Sequence, residues 1–147
     1  MTSIIRSAFV PFTSAQMYDL VNDIEQYPQF LPWCPNTEVL SRTMDEIKAT
    51  VHFAKGALVK SFTTVNRLLP HERVEMRLLH GPFRHLEGQW QFQTIADQGS
   101  RVTLKLSFEF NNKLLAFALG PFFQQMTSSM VESFTKRAHH IYAKAYD

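Results

Sequence analysis

The chain has 147 residues, of which 45% are hydrophobic and 19% charged, and its formal net charge at pH 7 is +2. This length predicts one domain spanning residues 1–147, with a core large enough to fold without a disulfide or a structural metal. The small net charge does not by itself indicate nucleic-acid binding, and no DNA partner is expected. Cys34 is the only cysteine in the sequence, which excludes an internal disulfide and a multi-cysteine zinc site.

The first 36 residues predict a strand followed by short helices. Residues 3–10 have strand character, and Thr13 or Ser14 can cap a helix whose apolar residues recur at helical spacing. Residues 27–35 contain three prolines, which prevent a long regular element. The aromatic side chains on this stiff segment either close the mouth of a cavity or plug the end of a sheet, and the sequence leaves both interpretations open.

Residues 38–110 predict about six antiparallel strands. The hydrophobic pattern there has a period of two and is interrupted by turn signals such as Gly81-Pro82. In the last two strands, apolar residues such as Trp90 and Leu104 alternate with polar ones such as Gln91. This alternation is typical of an antiparallel meander with one solvated face and one covered face. Phe83 follows the Gly81-Pro82 turn, where we expect it to form an exposed apolar tip.

The C-terminal part predicts the cover. Between Leu115 and Ile141, apolar residues recur every three or four positions, which indicates one long amphipathic helix. The fold class is therefore α+β, with a curved antiparallel sheet of about seven strands wrapped around a long C-terminal α-helix and short helices after the first strand. Residues 114–123 are apolar but too few to span a bilayer, and residues 1–12 lack a secretory core. We expect a cytoplasmic bacterial protein.

Thirteen of the nineteen aromatic residues are phenylalanine. Many of them, with several methionines, fall on the predicted faces of sheet and helix that meet. Methionine adapts to irregular ligands, so the space between these faces is either ordinary core or a cavity for an apolar ligand. The pattern alone leaves both open.

No catalytic or metal-binding constellation is evident. The six histidines form no ligand pair on one predicted face, so we expect no metal site. Glu75, Glu87 and Glu109 fall on polar strand faces, which leaves no acid or base inside and argues against an enzyme. A buried, inert thiol is favoured for Cys34 over a Cys-His nucleophile.

Basic residues cluster near the C-terminus. Cations there complement the helix dipole, which is the favoured interpretation. The alternative is a phosphate-binding patch that basic strand residues extend across a sheet face, which keeps RNA open as a partner. The C-terminal cluster comprises Lys136, Arg137, His139, His140 and Lys144.

Two motifs carry a family resemblance. The segments Tyr27-Pro-x-Phe-Leu-Pro-Trp-Cys34 and Gly81-Pro-Phe-x-x-Leu-x-Gly-x-Trp-x-Phe92, with the strand that ends Phe108-x-Phe110, resemble the coenzyme Q-binding protein family. That family belongs to the START-like, polyketide cyclase/dehydrase superfamily and has the helix-grip fold. Residues 62–64 and 108–113 are similar to the ribosome association toxin branch of that family.

The resemblance implies two alternative functions. The first is binding of ubiquinone (coenzyme Q), or a similar isoprenoid lipid, as a ligand in support of respiration, with no required cofactor. The second is a toxin of a toxin–antitoxin pair that binds the large (50S) ribosomal subunit, blocks subunit association and inhibits translation. A cyclase is a third alternative, but it lacks an interior acid or base. Apolar loop tips also predict transient contact with the inner membrane.

The quinone hypothesis assigns a set of apolar side chains to the lining or gate of the cavity. These are Phe30, Leu31, Trp33, Phe83, Leu86, Trp90, Phe92, Phe108, Phe122, Phe123, Met126 and Met130.

Overall fold

The computed structural model describes residues 1–143, which form one antiparallel sheet packed against helices. The strands are β1 (Thr2–Val10), β2 (Thr37–Arg42), β3 (Glu46–Lys55), β4 (Leu58–Leu69), β5 (Arg73–His80), β6 (Phe83–Ile95) and β7 (Gly99–Phe110). The helices are α1 (Ser14–Asn22), α2 (Lys113–Ser128) and α3 (Met130–Tyr142), and a 3₁₀ turn covers Ile24–Gln29.

The seven strands lie in the order β1-β7-β6-β5-β4-β3-β2, and every neighbouring pair is antiparallel. This confirms the expected fold class and the one-sided alternation, because Trp90 and Leu104 are buried whereas Lys105 is exposed. Strand β6 approaches the backbone of β7 closely at Gly88. A Cβ atom there would lie 2.3 Å from the carbonyl oxygen of Lys105, so only glycine permits this close approach.

The prediction of one uninterrupted C-terminal helix is wrong in one respect, because Ser129 separates α2 from α3. The Ser129 hydroxyl donates to the carbonyl of Met126, and the Thr127 hydroxyl donates to the carbonyls of Phe123 and Gln124. Side-chain donors that compete for helical carbonyls bend a helix, and here three such bonds fall within one turn. The two helices still cover the same face of the sheet. None of the helices within residues 1–143 is long and apolar enough to cross a membrane.

The sheet has two distinct ends. At the α2 end lie the β3–β4 turn, the β5–β6 turn and the connection from β7 to α2. At the α1 end lie the other three hairpin turns and helix α1, which begins at a capping box formed by Thr13 and Gln16. The Tyr142 hydroxyl donates to the Gln16 carbonyl at 2.8 Å and joins α3 to α1.

Candidate ligand-binding site

Two aromatic clusters fill most of the space between sheet and helices. Phe123 on α2 is the centre of the first cluster, at the α2 end, where its ring centroid lies 5.0 Å from that of Phe83 and 4.7 Å from that of Phe108. Phe134 on α3 is the centre of the second, with Tyr27 at 5.3 Å and Trp90 at 5.1 Å. The sequence pattern of alternating large apolar residues thus produces two regions of close-packed core, one around Phe123 and one around Phe134.

A small cavity remains between the two clusters. Its volume is about 70 Å³, and the 3₁₀ turn, strands β3 to β7, helix α2 and the first residue of α3 contribute to its wall. A pocket for a drug-sized ligand usually measures about 300–1,000 Å³, and one water molecule takes up about 30 Å³. The cavity as it stands therefore has room for about two waters, and a larger ligand needs side chains to move. The wall includes Trp33, Ala49, Phe62, Thr64, Asn66, Met76, Leu86, Trp90, Leu104, Phe123, Met126, Thr127 and Met130.

Three buried polar side chains interrupt this apolar wall. The Thr127 hydroxyl is satisfied by helical carbonyls, and the Thr64 hydroxyl donates to the Asn66 side-chain oxygen at 2.8 Å. Asn66 itself is only 6% exposed. The indole nitrogen of Trp33 is buried without a partner among residues 1–143. The indole N–H group is a hydrogen-bond donor, and a buried donor without a partner is costly.

The cavity lacks the groups that acid–base chemistry needs. Glu87 touches its edge, but 62% of that side chain is exposed to solvent. The buried Tyr27 hydroxyl donates to the Val21 carbonyl, and burial raises its pKa far above the ordinary value, so it stays neutral. Within residues 1–143, no group of three or more His, Cys, Asp or Glu side chains is arranged to hold a metal ion.

Cys34 lies near this region but is not a reactive thiol. It is buried, its Sγ donates to the Asn36 carbonyl at 3.5 Å, and burial raises its pKa to about 11. A nucleophilic cysteine requires the thiolate, which this environment disfavours.

Six of the twelve residues assigned to a lining or gate contribute to the cavity wall, namely Trp33, Leu86, Trp90, Phe123, Met126 and Met130. The other six lie elsewhere. Phe30 and Leu31 pack in the cluster around Phe134, Phe83 and Phe108 pack on Phe123, Phe92 lies against Tyr18 and Trp90, and Phe122 is half-buried.

The expected exposed tip at Phe83 is wrong. This residue is the first of β6 and is only 5% exposed, because its ring stacks on Phe110 with the centroids 4.6 Å apart. The residues that the sequence interpretation missed lie on β4 and β5, above all Thr64, Asn66 and Met76. The alternation of Phe62, Thr64, Asn66 and Leu68 was the available signal, because it puts two polar residues on the inward face.

The C-terminal basic cluster is engaged in local contacts where it is described. Lys136 pairs with Glu132 at 3.2 Å, the Arg137 guanidinium lies 5.2 Å from the centre of the Phe30 ring, and the His139 ring packs on Phe12. Lys144 lies outside the described residues.

Comparisons with known proteins place this chain in a family. RatA of Pseudomonas aeruginosa, named a ribosome association toxin, is 41% identical over 96% of this chain and 98% of its own. COQ10 homolog B of Xenopus laevis, named a mitochondrial coenzyme Q-binding protein, is 30% identical over 94% of this chain and 58% of its own.

Solved structures share the fold at low sequence identity. The Zhui aromatase/cyclase from Streptomyces sp. R1128 superposes with a TM-score of 0.82 at 14% identity, covering 94% of this chain and 93% of that one. A START superfamily protein from Mycobacterium smegmatis gives 0.78 at 13% identity, covering 95% and 98%. The family described as polyketide cyclase/dehydrase and lipid transport matches residues 10–135. The chain belongs to this START-like family.

Proposed function

We propose that this protein binds an apolar ligand that carries hydrogen-bond acceptors, between the sheet and α2, and that it does so without catalysing a reaction. Ubiquinone is the ligand that we expect. The observation that carries the proposal is the buried indole N–H group of Trp33, which has no partner among residues 1–143, in a mostly apolar wall that also contains the Asn66 side-chain amide. A quinone ring offers carbonyl oxygens, which accept hydrogen bonds, and its isoprenoid chain is apolar. Its chemistry therefore complements that wall.

The ligand enters by displacing side chains. Met76, Met126 and Met130 all line the cavity, and methionine adopts alternative rotamers at low cost. Helix α2 is the element best able to move, because Ser129 separates it from α3 and Pro121 removes one of its backbone donors. A shift of α2 away from β3 and β4 enlarges the cavity toward the α2 end.

A non-enzymatic role is supported by the wall itself. The fold also occurs in an aromatase/cyclase, so the fold alone does not decide between binding and catalysis. Inside this cavity Glu87 is the sole carboxylate among the described residues that line it, and it faces solvent. A buried base with a perturbed pKa, which an enolising cyclase needs, has no candidate in this wall.

Extraction of the purified protein tests the proposal. The protein is expressed in a ubiquinone-producing host, extracted with organic solvent, and the extract is analysed by mass spectrometry. Ala49→Leu adds bulk to the cavity wall, whereas Ala54→Leu makes the same change on the opposite face of the same strand. We expect quinone with the parent and with Ala54→Leu, and little with Ala49→Leu. Equal amounts of quinone with all three proteins would refute the cavity as the site.

Ribosome association is the second candidate function. The observation that favours it is the 41% identity to RatA over nearly the full length of both chains. The outer face of the sheet offers a shallow groove lined by both carboxylates and cations, in which Arg77 and Lys105 are exposed and pair with no described carboxylate. Cations on such a face suit the phosphates of ribosomal RNA.

Sucrose gradients of cell lysates separate this function from quinone binding. We expect overproduction of the parent to increase free subunits at the expense of intact ribosomes, and Arg77→Glu combined with Lys105→Glu to abolish the effect. The Ala49→Leu protein retains the effect if the two functions are independent. Unchanged gradients on overproduction of a folded parent would refute ribosome association.

A further inference from the structure

The first half of α2 has an apolar side that the protein does not cover. Phe117 is 85% exposed and Leu114 75% exposed, and they lie three residues apart on one side of the helix, with exposed Ala118 and Pro121 continuing the same stripe. The opposite side of the helix is buried through Leu119 and Phe123. A helix that is apolar all round is normally buried on all sides, so the outer side of α2 indicates a missing contact.

The β3–β4 hairpin enlarges this apolar surface and adds positive charge. The Lys55 ammonium donates to the Ala118 carbonyl at 3.4 Å, which holds the hairpin beside the exposed stripe. Leu58 and Val59, which follow the hairpin turn, are 40% and 51% exposed. Lys60, which is half-buried, directly follows Val59 in β4, and Lys113 begins α2. None of these three lysines forms an ion pair with a described acidic side chain.

Charge is distributed unequally between the two ends of the sheet. Each of the three hairpin turns at the α1 end carries one carboxylate, on Asp45, Glu72 and Asp97. At the α2 end, Lys55 borders the β3–β4 turn, Lys113 follows the connection from β7, and the carboxylate of Glu109 faces Arg84 at 3.9 Å. The α2 end therefore presents exposed apolar side chains surrounded by positive charge, and the opposite end is acidic.

We infer that this surface docks on an anionic phospholipid bilayer, with α2 lying in the plane of the interface. Phe117 and Leu114 insert among the acyl chains, while Lys55, Lys60 and Lys113 contact lipid phosphates. The unpaired lysines favour this occupant over a second copy of the chain, because a copy would bring the same charges into contact. The inference extends the proposed function, since a protein that takes up a membrane lipid has to reach it, but vesicle binding itself requires no quinone.

Flotation with lipid vesicles tests the inference. Vesicles of phosphatidylcholine alone are compared with vesicles of phosphatidylcholine and phosphatidylglycerol in equal parts, both without quinone. We expect the parent to float with the anionic vesicles only, and less at high salt. Phe117→Asp should weaken this binding roughly tenfold to a hundredfold, because a buried aromatic side chain contributes on that scale.

Met44→Asp is the matched control, because Met44 is 87% exposed and lies at the acidic α1 end. It should float as the parent does. Both substitutions fall on exposed side chains, and thermal melts establish that each variant is folded.

Three results would each overturn the inference. The parent does not bind anionic vesicles, Phe117→Asp binds them as well as the parent does, or the parent forms a dimer in solution that Phe117→Asp dissociates. A parent that floats but retains no quinone refutes only the proposed function, and one that retains quinone but does not float refutes only the docking.

Discussion

The rings of Phe108 on β7 and Phe123 on α2 meet edge to face, with their centroids 4.7 Å apart. Phe123 makes similar contacts with Phe53, Phe83 and Phe110, so one side chain ties α2 to strands from both halves of the sheet. This packing explains why the cavity next to it is small. It also means that stability, and the ligand uptake that we propose, both depend on how firmly α2 packs on the sheet.

Replacement of Phe123 therefore has a large effect on stability. Phe123→Ala should lower the free energy of unfolding by about 3–5 kcal/mol, because it removes a fully buried ring from the centre of a cluster. Phe117→Ala makes the same change six residues earlier in the same helix, on an exposed side chain, and should stay within about 0.5 kcal/mol of the parent. Urea unfolding followed by circular dichroism measures both. A similar decrease in the free energy of unfolding for the two variants would contradict the assignment of buried and exposed sides of α2.

Replacement by alanine should have opposite effects on the stability of the protein at Gly88 and at Gly120. A methyl group at Gly88 would collide with backbone of β7, so Gly88→Ala should destabilise the protein by about 1–3 kcal/mol or more. At Gly120, within α2, a methyl group meets no atom within 4 Å, and Gly120→Ala should stabilise by about 0.5–1 kcal/mol. Thermal melts of the two variants check the signs, and a neutral Gly88→Ala would argue against the close approach of β6 to the β7 backbone.

Loss of the Trp33 donor should affect only ligands that carry an acceptor. Trp33→Phe keeps an aromatic ring in the wall but removes the N–H group, so the affinity for a short-chain ubiquinone should fall roughly threefold to tenfold. Binding of squalene, an isoprenoid hydrocarbon without oxygen, should not change. Equilibrium dialysis measures both ligands, and a parallel loss for squalene would mean that Trp33 acts by shape alone.

Cys34 should resist alkylation in the folded protein. Its pKa is raised to about 11 by burial, so the thiol is neutral at pH 8 and iodoacetamide should react fast only after denaturation. Because the folded pKa lies above the unfolded one, the contribution of the neutral thiol to stability is complete below pH 9 and is lost as the pH rises toward 11. Unfolding free energies between pH 8 and pH 10.5 should therefore fall more for the parent than for Cys34→Ala. Rapid alkylation of the native protein at pH 8 would show that the thiol is accessible.

The fold was largely predictable because its signals are local. Alternation with a period of two and the turn residues at Gly56, Pro70 and Gly81 define the hairpins, and sequential hairpins leave few alternative topologies. The break at Ser129 was not predictable, because Thr127 and Ser129 read as ordinary helix residues until their hydroxyls are seen bonded to helical carbonyls.

The site was predictable only in part, since its position depends on which large side chains meet. Phe123 and Met126 of α2 fall on the inward face by helical spacing alone. The Gly-Pro turn before Phe83 predicted an exposed side chain, yet the rings of Phe110 and Phe123 cover it. These contacts join residues that are distant in sequence, so local patterns do not indicate them. The only sequence signal for the polar residues Thr64 and Asn66 was their alternation with Phe62 and Leu68. Together with Tyr27, Trp33, Thr127 and Glu87, they give the cavity its hydrogen-bonding character.

Tryptophan fluorescence gives the most direct test of the interior as a quinone site. The sequence contains two tryptophans, Trp33 and Trp90, and both line the cavity. A short-chain ubiquinone bound there should quench the emission of the parent in a saturable titration, and of Ala54→Leu equally, but not of folded Ala49→Leu. Saturable quenching of equal strength in Ala49→Leu, or none in the parent, would contradict the account.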